Sequence, residues 1–350
     1  MSIVQNIKKT INYSKKNGYK EAALAAWERM TARYYADYTY ETPKEEELKC
    51  QREDRTLKPI SFSLIVPAFE THRNHLTDLI ESCLAQTYGN WELILADGSE
   101  TQEVSAVMSQ YEDSRIHYVR LQENGGISEN TNQALAYATG DYCGLVDHDD
   151  ILTPDALYEM ARAITEAVSE GKEKPVLLYS DEDKCDAQGN HFYDPHIKQD
   201  FNLDLLLTNN YICHFSVFSR ELLEGTELFR SGFDGSQDHD MILRLTSNAK
   251  CIVHVPKLMY YWRSHKGSVA SDISAKPYAI AAAKGAVADH LTRCGFKNFE
   301  IKSTRAFETI FEIKYEILKE DKISILIPNK DHLDDLRRCI QSIQERSTYD

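Results

Sequence analysis

The chain has 350 residues, 42% of them apolar, with a formal net charge of −15. That length supports one large α/β domain with appendages, and the acidic balance excludes nucleic acid as a principal partner. The eight cysteines form no C-x-x-C pair and no zinc-like spacing, as expected of reduced thiols in a cytoplasmic protein. Ser2 to Lys20 is polar, unlike a signal peptide, and no apolar run approaches the roughly 20 residues of a membrane span.

Residues 1–58 stand apart as a helical N-terminal extension. Tyr19, Ala23, Ala26, Trp27, Met30 and Tyr34 recur at helical spacing and predict an amphipathic helix packed on its own domain. Lys44 to Lys58 is charged and reads as a second exposed helix or a linker. The basic, aromatic N-terminus has an alternative use in peripheral contact with the cytoplasmic face of a membrane.

From Ser61 the pattern alternates. Ser63 to Val66 is a first strand, stopped by Pro67. His75 to Gln86 is a helix with Leu76, Leu79, Ile80 and Cys83 on one face. Trp91 to Ala96 is a second strand ending in Asp97-Gly98-Ser99, Glu103 to Tyr111 is helical, and Ile116 to Arg120 is a third strand. Asn124-Gly125-Gly126 opens a helix through Ala138. Such alternation predicts a parallel sheet with right-handed crossovers. Asp97, just past a strand end, is able to accept the N3–H of uracil or thymine, or to serve as a capping or turn aspartate. Gly125 and Gly126 allow backbone N–H groups to approach a nucleotide, or form a plain turn.

Tyr142 to Val146 is a buried strand leading into Asp147-His148-Asp149-Asp150. Open α/β sheets bind ligands at that edge. Carboxylates crowded there need a cation or hydrogen-bond donors, and a divalent metal bridging to phosphate supplies one. The alternative is a solvated acidic turn ahead of a helix near Asp155, capped by Thr153 and Pro154. Val176 to Ser180 is the next strand, and Asp181-Glu182-Asp183-Lys184 reads mainly as a solvated loop. Tyr211 to Ser219 is a strand in which His214 reads as a satisfied core histidine. Asp238 opens a helix running into Met241 to Leu245, as an N-cap or as a general base. Asp240 points to another side and is expected to hold a loop with Arg263 or His265. Cys251 to Val255 and Leu258 to Tyr261 are strands; Trp262 to Ser268 is a polar loop whose Arg263, His265 and Lys266 suit phosphate. Lys276 to Cys294 is a helix, and Phe299 to Ile317 supplies one or two late strands. Ile323 to Pro328 repeats Phe62 to Pro67, and Ser342 to Tyr349 echoes Ser82 to Tyr88, as if a second copy of the unit began at 319–350 of a longer chain.

Seven segments come in a telling order: V-P-A-F-E (Val66 to Glu70), A-D-G-S (Ala96 to Ser99), N-G-G-I-S (Asn124 to Ser128), D-H-D-D (Asp147 to Asp150), Y-S-D-E-D-K (Tyr179 to Lys184), S-Q-D-H-D (Ser236 to Asp240) and Y-W-R-S-H (Tyr261 to His265). Together they resemble the inverting family 2 glycosyltransferases of the GT-A fold, most of all bacterial O-antigen and rhamnan-type members with tandem transferase domains. The resemblance covers about Ser61 to Ser271. It implies a Rossmann-like mixed α/β sheet flanked by helices over 59–318, with a second transferase domain starting at 319–350. It implies metal-dependent transfer of a sugar from a UDP- or dTDP-linked donor to a hydroxyl of a growing cell-surface glycan or lipid-linked acceptor. Pro67, Phe69, Asp97, Gly126, Asp147 and Arg263 would then lie at the nucleotide. Asp149, Asp147 and His265 would hold Mn²⁺ or Mg²⁺, and Asp238 would be the base. Phe69-Glu70 replaces a frequent Tyr-Asn, and Asn130-Thr131-Asn132 replaces a frequent Ala-Arg-Asn. The Q-x-x-R-W signature of processive synthases is absent from the sequence, which implies single-sugar addition. The alternatives are a degenerate sugar-nucleotide-binding or interaction module, and a nucleotidyltransferase. The latter normally carries a glycine- and basic-rich phosphate loop where this chain has Pro67-Ala68-Phe69-Glu70.

Overall fold

The computed structural model describes residues 11, 13–15, 18–31, 41, 43–265, 277–317 and 322–348. The chain divides into two compact units, Met1–Lys314 and Tyr315–Asp350.

Helix α1 (Tyr19–Thr31) forms where the helical periodicity predicts one, but it buries a different face. Ala22 and Ala25 are buried, whereas Tyr19 and Trp27 are exposed. Glu21 and Glu28 ion-pair with Arg305 at 2.7 and 2.9 Å, which turns the helix that way. Tyr34 lies outside the described residues. The charged stretch after it forms α2 (Glu45–Glu53), held through buried Leu48 and a bond from Thr87 Oγ1 to Gln51 Oε1 at 2.8 Å.

The first half of the large unit is a run of βα units. β1 (Phe62–Ala68), α3 (Arg73–Leu84), β2 (Trp91–Asp97), α4 (Glu103–Met108), β3 (Ile116–Arg120), α5 (Ile127–Leu135) and β4 (Tyr142–Leu145) follow in order. The four strands pair in parallel. Their continuous apolar runs suit a sheet covered on both faces. The second half is β5 (Ile151–Leu152), α6 (Ala156–Ser169), β6 (Leu177–Cys185), β7 (Phe192–His196), α7 (Leu203–Thr208), β8 (Ser216–Ser219), α8 (Gln237–Asn248), β9 (Ile252–Arg263) and α9 (Pro277–Arg293). β8 inserts antiparallel between β4 and β6, giving the order β3-β2-β1-β4-β8-β6-β9-β5 with β7 on the outer part of β6. The fold is therefore a mixed α/β sheet flanked by helices, the architecture expected of a GT-A domain. One core layer gathers Leu64, Val66, Leu79, Leu93, Leu157, Met160 and Tyr260. The other gathers Ile65, Ile94, Cys143, Phe218, Met241 and Leu245. β10 (Phe299–Ser303) and β11 (Phe311–Tyr315) make a separate ribbon, and α10 (Leu333–Arg346) belongs to the small unit.

Several local expectations change. Asp181 to Lys184 is not a solvated loop: it lies within β6, with Asp181, Glu182 and Asp183 all buried. The strand expected over Tyr211 to Ser219 shrinks to β8, and the segment before it is irregular. β9 runs unbroken past Pro256 and Lys257 to Arg263, because a register shift against β6 absorbs the irregularity. The N-cap of α6 is Asp155 rather than Thr153. Ile323 to Pro328 forms no strand, and Ile323, Ile325, Leu326 and Ile327 are exposed, whereas β1 is paired on both sides.

Asp240 does not hold a loop with Arg263 or His265. It is fully buried and meets Arg230 and Arg244, with 3.1 Å from each Nε. Arg244 also donates to the carbonyls of Glu227 and Leu228, so the trio ties α8 to the segment before it. Removing one partner of a buried pair leaves uncompensated charge. Asp240→Ala is expected to lose about 3–5 kcal/mol of stability in urea unfolding, and a loss below about 1 kcal/mol, the range of exposed pairs, would contradict this role.

Candidate active site

The site lies at the C-terminal edge of the parallel strands, where β1, β2 and β4 end. β1 and β2 are in register from Phe62↔Trp91 to Ala68↔Asp97, so Asp97 arrives level with the end of β1. Its side chain is fully buried. Tyr118 and Arg120 each donate to Oδ2 at 2.7 Å, and the Ser99 N–H donates to Oδ1 at 2.8 Å. A carboxylate offers about four acceptor positions, so one remains for an incoming N–H. Sequence reading missed Arg120, although its place opposite Asp97 follows from the register of β3 on β2.

Glu70 braces this edge. Its N–H donates to Ser99 Oγ, and its carboxylate accepts from Glu100 N, Thr101 N and Thr101 Oγ1 at 2.7–3.1 Å. Beside it Phe69 is exposed, while Pro67 is paired to Ala96. Gly98 packs closely, since a Cβ there would stand 2.9 Å from Asn130 Nδ2 and 3.2 Å from Asn124 Cα, so a larger residue would displace the Asn130 side chain. Gly126 adopts φ 88°, and a Cβ there would meet Asp234 Oδ2 at 2.8 Å. Ser128 Oγ donates to Asp234 at 2.5 Å, so the Asn124 to Ser128 turn is tied to the segment that leads into α8.

The D-H-D-D turn sorts its three carboxylates into three directions. Asp150 points inward and is buried; Tyr260 OH and Arg263 N donate to it, each at 2.7 Å. Burial, with the charges of Asp149 and Asp147, pushes its pKa well above the carboxylate range. Asp149 lies 2.7 Å from His265 Nε2. Burial would raise its pKa, but the His265 bond and the neighbouring histidines bring it down to about 2. Asp147 is the most open of the three, with a side chain 43% exposed and Oδ2 3.5 Å from His214 Nε2.

His214 is thus more than a satisfied core histidine. Its N–H and Nδ1 both face Glu182 Oε2, at 2.6 and 3.1 Å, and its ring stacks on Tyr260 at 4.8 Å. Burial opposes its charged form, yet its carboxylate and thiol neighbours carry its pKa well above the usual value. Nothing in the Y-S-D-E-D-K run announced Glu182 as its partner. The available signal was that Leu177 to Cys185 contains no glycine, proline or asparagine to end the strand.

Arg263 corrects an expectation. It is fully buried, and its guanidinium donates to Asp149 O, Ala187 O and Asp78 Oδ2 at 2.5, 3.0 and 2.9 Å. It holds the acidic turn, with its guanidinium buried against protein acceptors rather than exposed to bind a phosphate. Lys266, Gly267 and Ser268 of the same loop lie outside the described residues. Asp238 stands in the first turn of α8, after the N-cap residue Ser236, so it is not itself the cap. Asn210 Nδ2 donates to its Oδ2 at 2.8 Å. The segment from Asn210 to His214 therefore touches both Asp238 and Asp147.

Two donor sets suit a divalent cation. Asp149 and His265 bring a carboxylate oxygen and a ring nitrogen to 2.7 Å. Asp147, Asp150 and His214 place their ligand atoms within 4.8 Å of one another. Asp150 is buried and already accepts from Tyr260 OH and Arg263 N, so the Asp149–His265 pair is the easier of the two for a cation to reach. A nitrogen ligand suits Mn²⁺ more than Mg²⁺, which prefers oxygen and retains water. Mn²⁺ should tighten UDP binding more than Mg²⁺, and Asp149→Ala should remove that gain in calorimetry. Unchanged metal dependence would move the cation to the Asp147–Asp150–His214 set.

The chain is similar in sequence to several known proteins. The chain is 38% identical over 292 residues to the uncharacterized protein y4gI of Sinorhizobium fredii, covering 82% of this chain and 31% of that one. It is 32% identical over 290 residues to the O-antigen biosynthesis protein RfbC of Myxococcus xanthus, covering 82% and 22%. The chain therefore spans about a third or less of these two relatives. Among solved structures, S. aureus TarS in complex with UDP aligns at 20% identity and a TM-score of 0.48, over 67% of this chain and 71% of that one. Residues 63–226 match the family model for glycosyl transferase family 2, a span that holds Asp97, the acidic turn, Glu182 and His214. By that match, residues 63–226 of this chain form a glycosyl transferase family 2 domain.

Proposed function

We propose that the chain is a metal-dependent inverting glycosyltransferase. It takes a sugar from a uridine or thymidine diphosphate donor to a hydroxyl of a growing cell-surface glycan or lipid-linked glycan. The observation that carries this reading is the Asn210 to His214 segment, which joins Asp238 to the acidic turn in one site. The polysaccharide acceptor is supported by the likeness to an O-antigen biosynthesis protein. A lipid-linked acceptor would bring the chain to the cytoplasmic face of the membrane; among the described residues no helix is long and apolar enough to cross one.

The chain's own groups divide the chemistry. Asp97 takes the N3–H of the base, with Phe69 and Pro67 beside it. Asp147 faces the ribose. Asp149 and His265 hold the cation, which when bound stabilises negative charge developing on the departing diphosphate. Asp238 accepts the proton of the attacking hydroxyl, and Asn210 fixes the direction of its carboxylate. The first turn of a helix favours the ionised form that a base needs.

Two measurements test this reading. Release of nucleoside diphosphate from a panel of UDP- and dTDP-sugars should require Mn²⁺ or Mg²⁺, and Asp238→Asn should lower turnover roughly 100- to 10,000-fold while donor binding stays within a few-fold. A chain that binds these nucleotides but turns over no donor is a binding module instead. Calorimetry should also show UDP and dTDP bound more tightly than GDP, because the larger purine places the N1–H of guanine away from where a pyrimidine places N3–H; equal affinities would remove Asp97 from the base pocket.

A further inference from the structure

Apart from the place of His214 in the second donor set, the Glu182–His214 pair has no role above, yet its surroundings are fully specified. Glu182 is buried and accepts from His196 Nδ1 at 3.1 Å as well as from the two nitrogens of His214. Lys198 donates to the carbonyls of Ile212 and His214 at 2.8 and 2.5 Å, so the backbone carrying the imidazole is pinned from below. Tyr260 stacks on one ring face at 4.8 Å, with ring planes 13° apart, and Trp262 lies 5.4 Å away. Nδ1 keeps an N–H toward the buried Glu182 carboxylate, which sets the aim of the ring, and Nε2 meets a second carboxylate, so both ring nitrogens act as N–H donors. That other nitrogen, Nε2, faces Asp147 Oδ2 at 3.5 Å, and Asp147 is the open member of the acidic turn. A side chain with that much exposure has several rotamers unless something restrains it.

We propose that Glu182 and His214 are positioning residues for ribose recognition: Glu182 aims His214 Nε2, and His214 holds the Asp147 carboxylate toward the 3′-hydroxyl of the nucleotide. The inference rests on the reading of Asp147 as the ribose-facing group. The 3′-hydroxyl is the relevant one because uridine and thymidine diphosphates share it, whereas thymidine lacks the 2′-hydroxyl. A carboxylate held in place discriminates strongly for a hydroxyl that completes its hydrogen bond, and a loose one discriminates weakly.

The test needs no donor sugar and no acceptor. Binding of UDP and of 3′-deoxy-UDP, each with Mn²⁺, is compared by calorimetry in the intact chain and in His214→Ala, His214→Gln, His214→Asn and Glu182→Gln. The amide nitrogen of glutamine falls near the place of Nε2, and that of asparagine near the place of Nδ1. Wild-type protein should prefer UDP over 3′-deoxy-UDP by roughly tenfold or more. His214→Ala and His214→Asn should bring that ratio close to one, His214→Gln should restore most of it, and Glu182→Gln should lie between. Unfolding midpoints identify variants that fail to fold, and the Gln–Asn contrast carries the decision among those that do fold. An unchanged ratio in His214→Ala, equal behaviour of Gln and Asn, or no preference in the wild type overturns the proposal. Loss of the Mn²⁺ enhancement in His214→Ala also overturns it, by making His214 a metal ligand. A failure of the glycosyltransferase reading looks different: UDP selectivity follows His214 as described, but no sugar nucleotide is turned over.

Discussion

The site depends on one buried carboxylate. Three acidic groups within four residues repel one another, and they coexist because one is turned inward and held by donors from another strand. Asp150 accepts from Tyr260 OH and Arg263 N, both on β9. The same tyrosine accepts from Asp147 N at 3.1 Å, and the arginine of the same pair donates to Asp149 O. One strand thus fixes all three members of the turn. Burial then separates their ionisation, raising Asp150 while the histidines lower Asp149 to about 2. Pushing the pKa values of neighbouring carboxylates apart gives chemically alike side chains different tasks.

The parallel half of the sheet was legible in the sequence for a physical reason. β1, β2 and β4 are buried on both faces, so apolar residues dominate them; β1 passes through Pro67 and ends one residue beyond it, β2 ends at Asp97, and β4 ends just before the acidic turn. The other half was not legible. β6 carries Asp181, Glu182 and Asp183 in its interior, a composition that argues for solvent. They are buried because Asp181 meets His254 and Lys198 N, and Glu182 meets His196 and His214. Each partner lies elsewhere in the chain, and no local pattern reports such pairing. Arg263 shows the same limit: its charge suggested phosphate, while its partners Asp78, Asp149 and Ala187 come from three separate segments.

The repeat in the small unit makes a related point. Ile323 to Pro328 shares its pattern with β1, and α10 follows it as α3 follows β1. The helix forms, and the strand does not. A helix satisfies its backbone bonds internally, whereas a strand requires neighbours. β1 has β2 and β4 on its two sides, and no described residue pairs with Ile323 to Pro328. Sequence likeness carries the pattern of burial, and pairing decides whether that pattern becomes a strand.

The two halves of the sheet meet in the segment before β8. Asn210 donates to Asp238 at one end of it and His214 faces Asp147 at the other. Between them Lys198 takes the carbonyls of Ile212 and His214, and its ammonium lies buried. Burial lowers the Lys198 pKa, and Glu182 works against that by favouring the charge. A buried ammonium bonded to two backbone carbonyls is costly to release, so the segment is anchored at its centre. On the proposed function, the group that would take a proton from the acceptor and the group that would face the ribose are held by the same short piece of chain. That arrangement would couple donor and acceptor geometry, on which the meeting of hydroxyl and anomeric carbon depends in a transfer reaction.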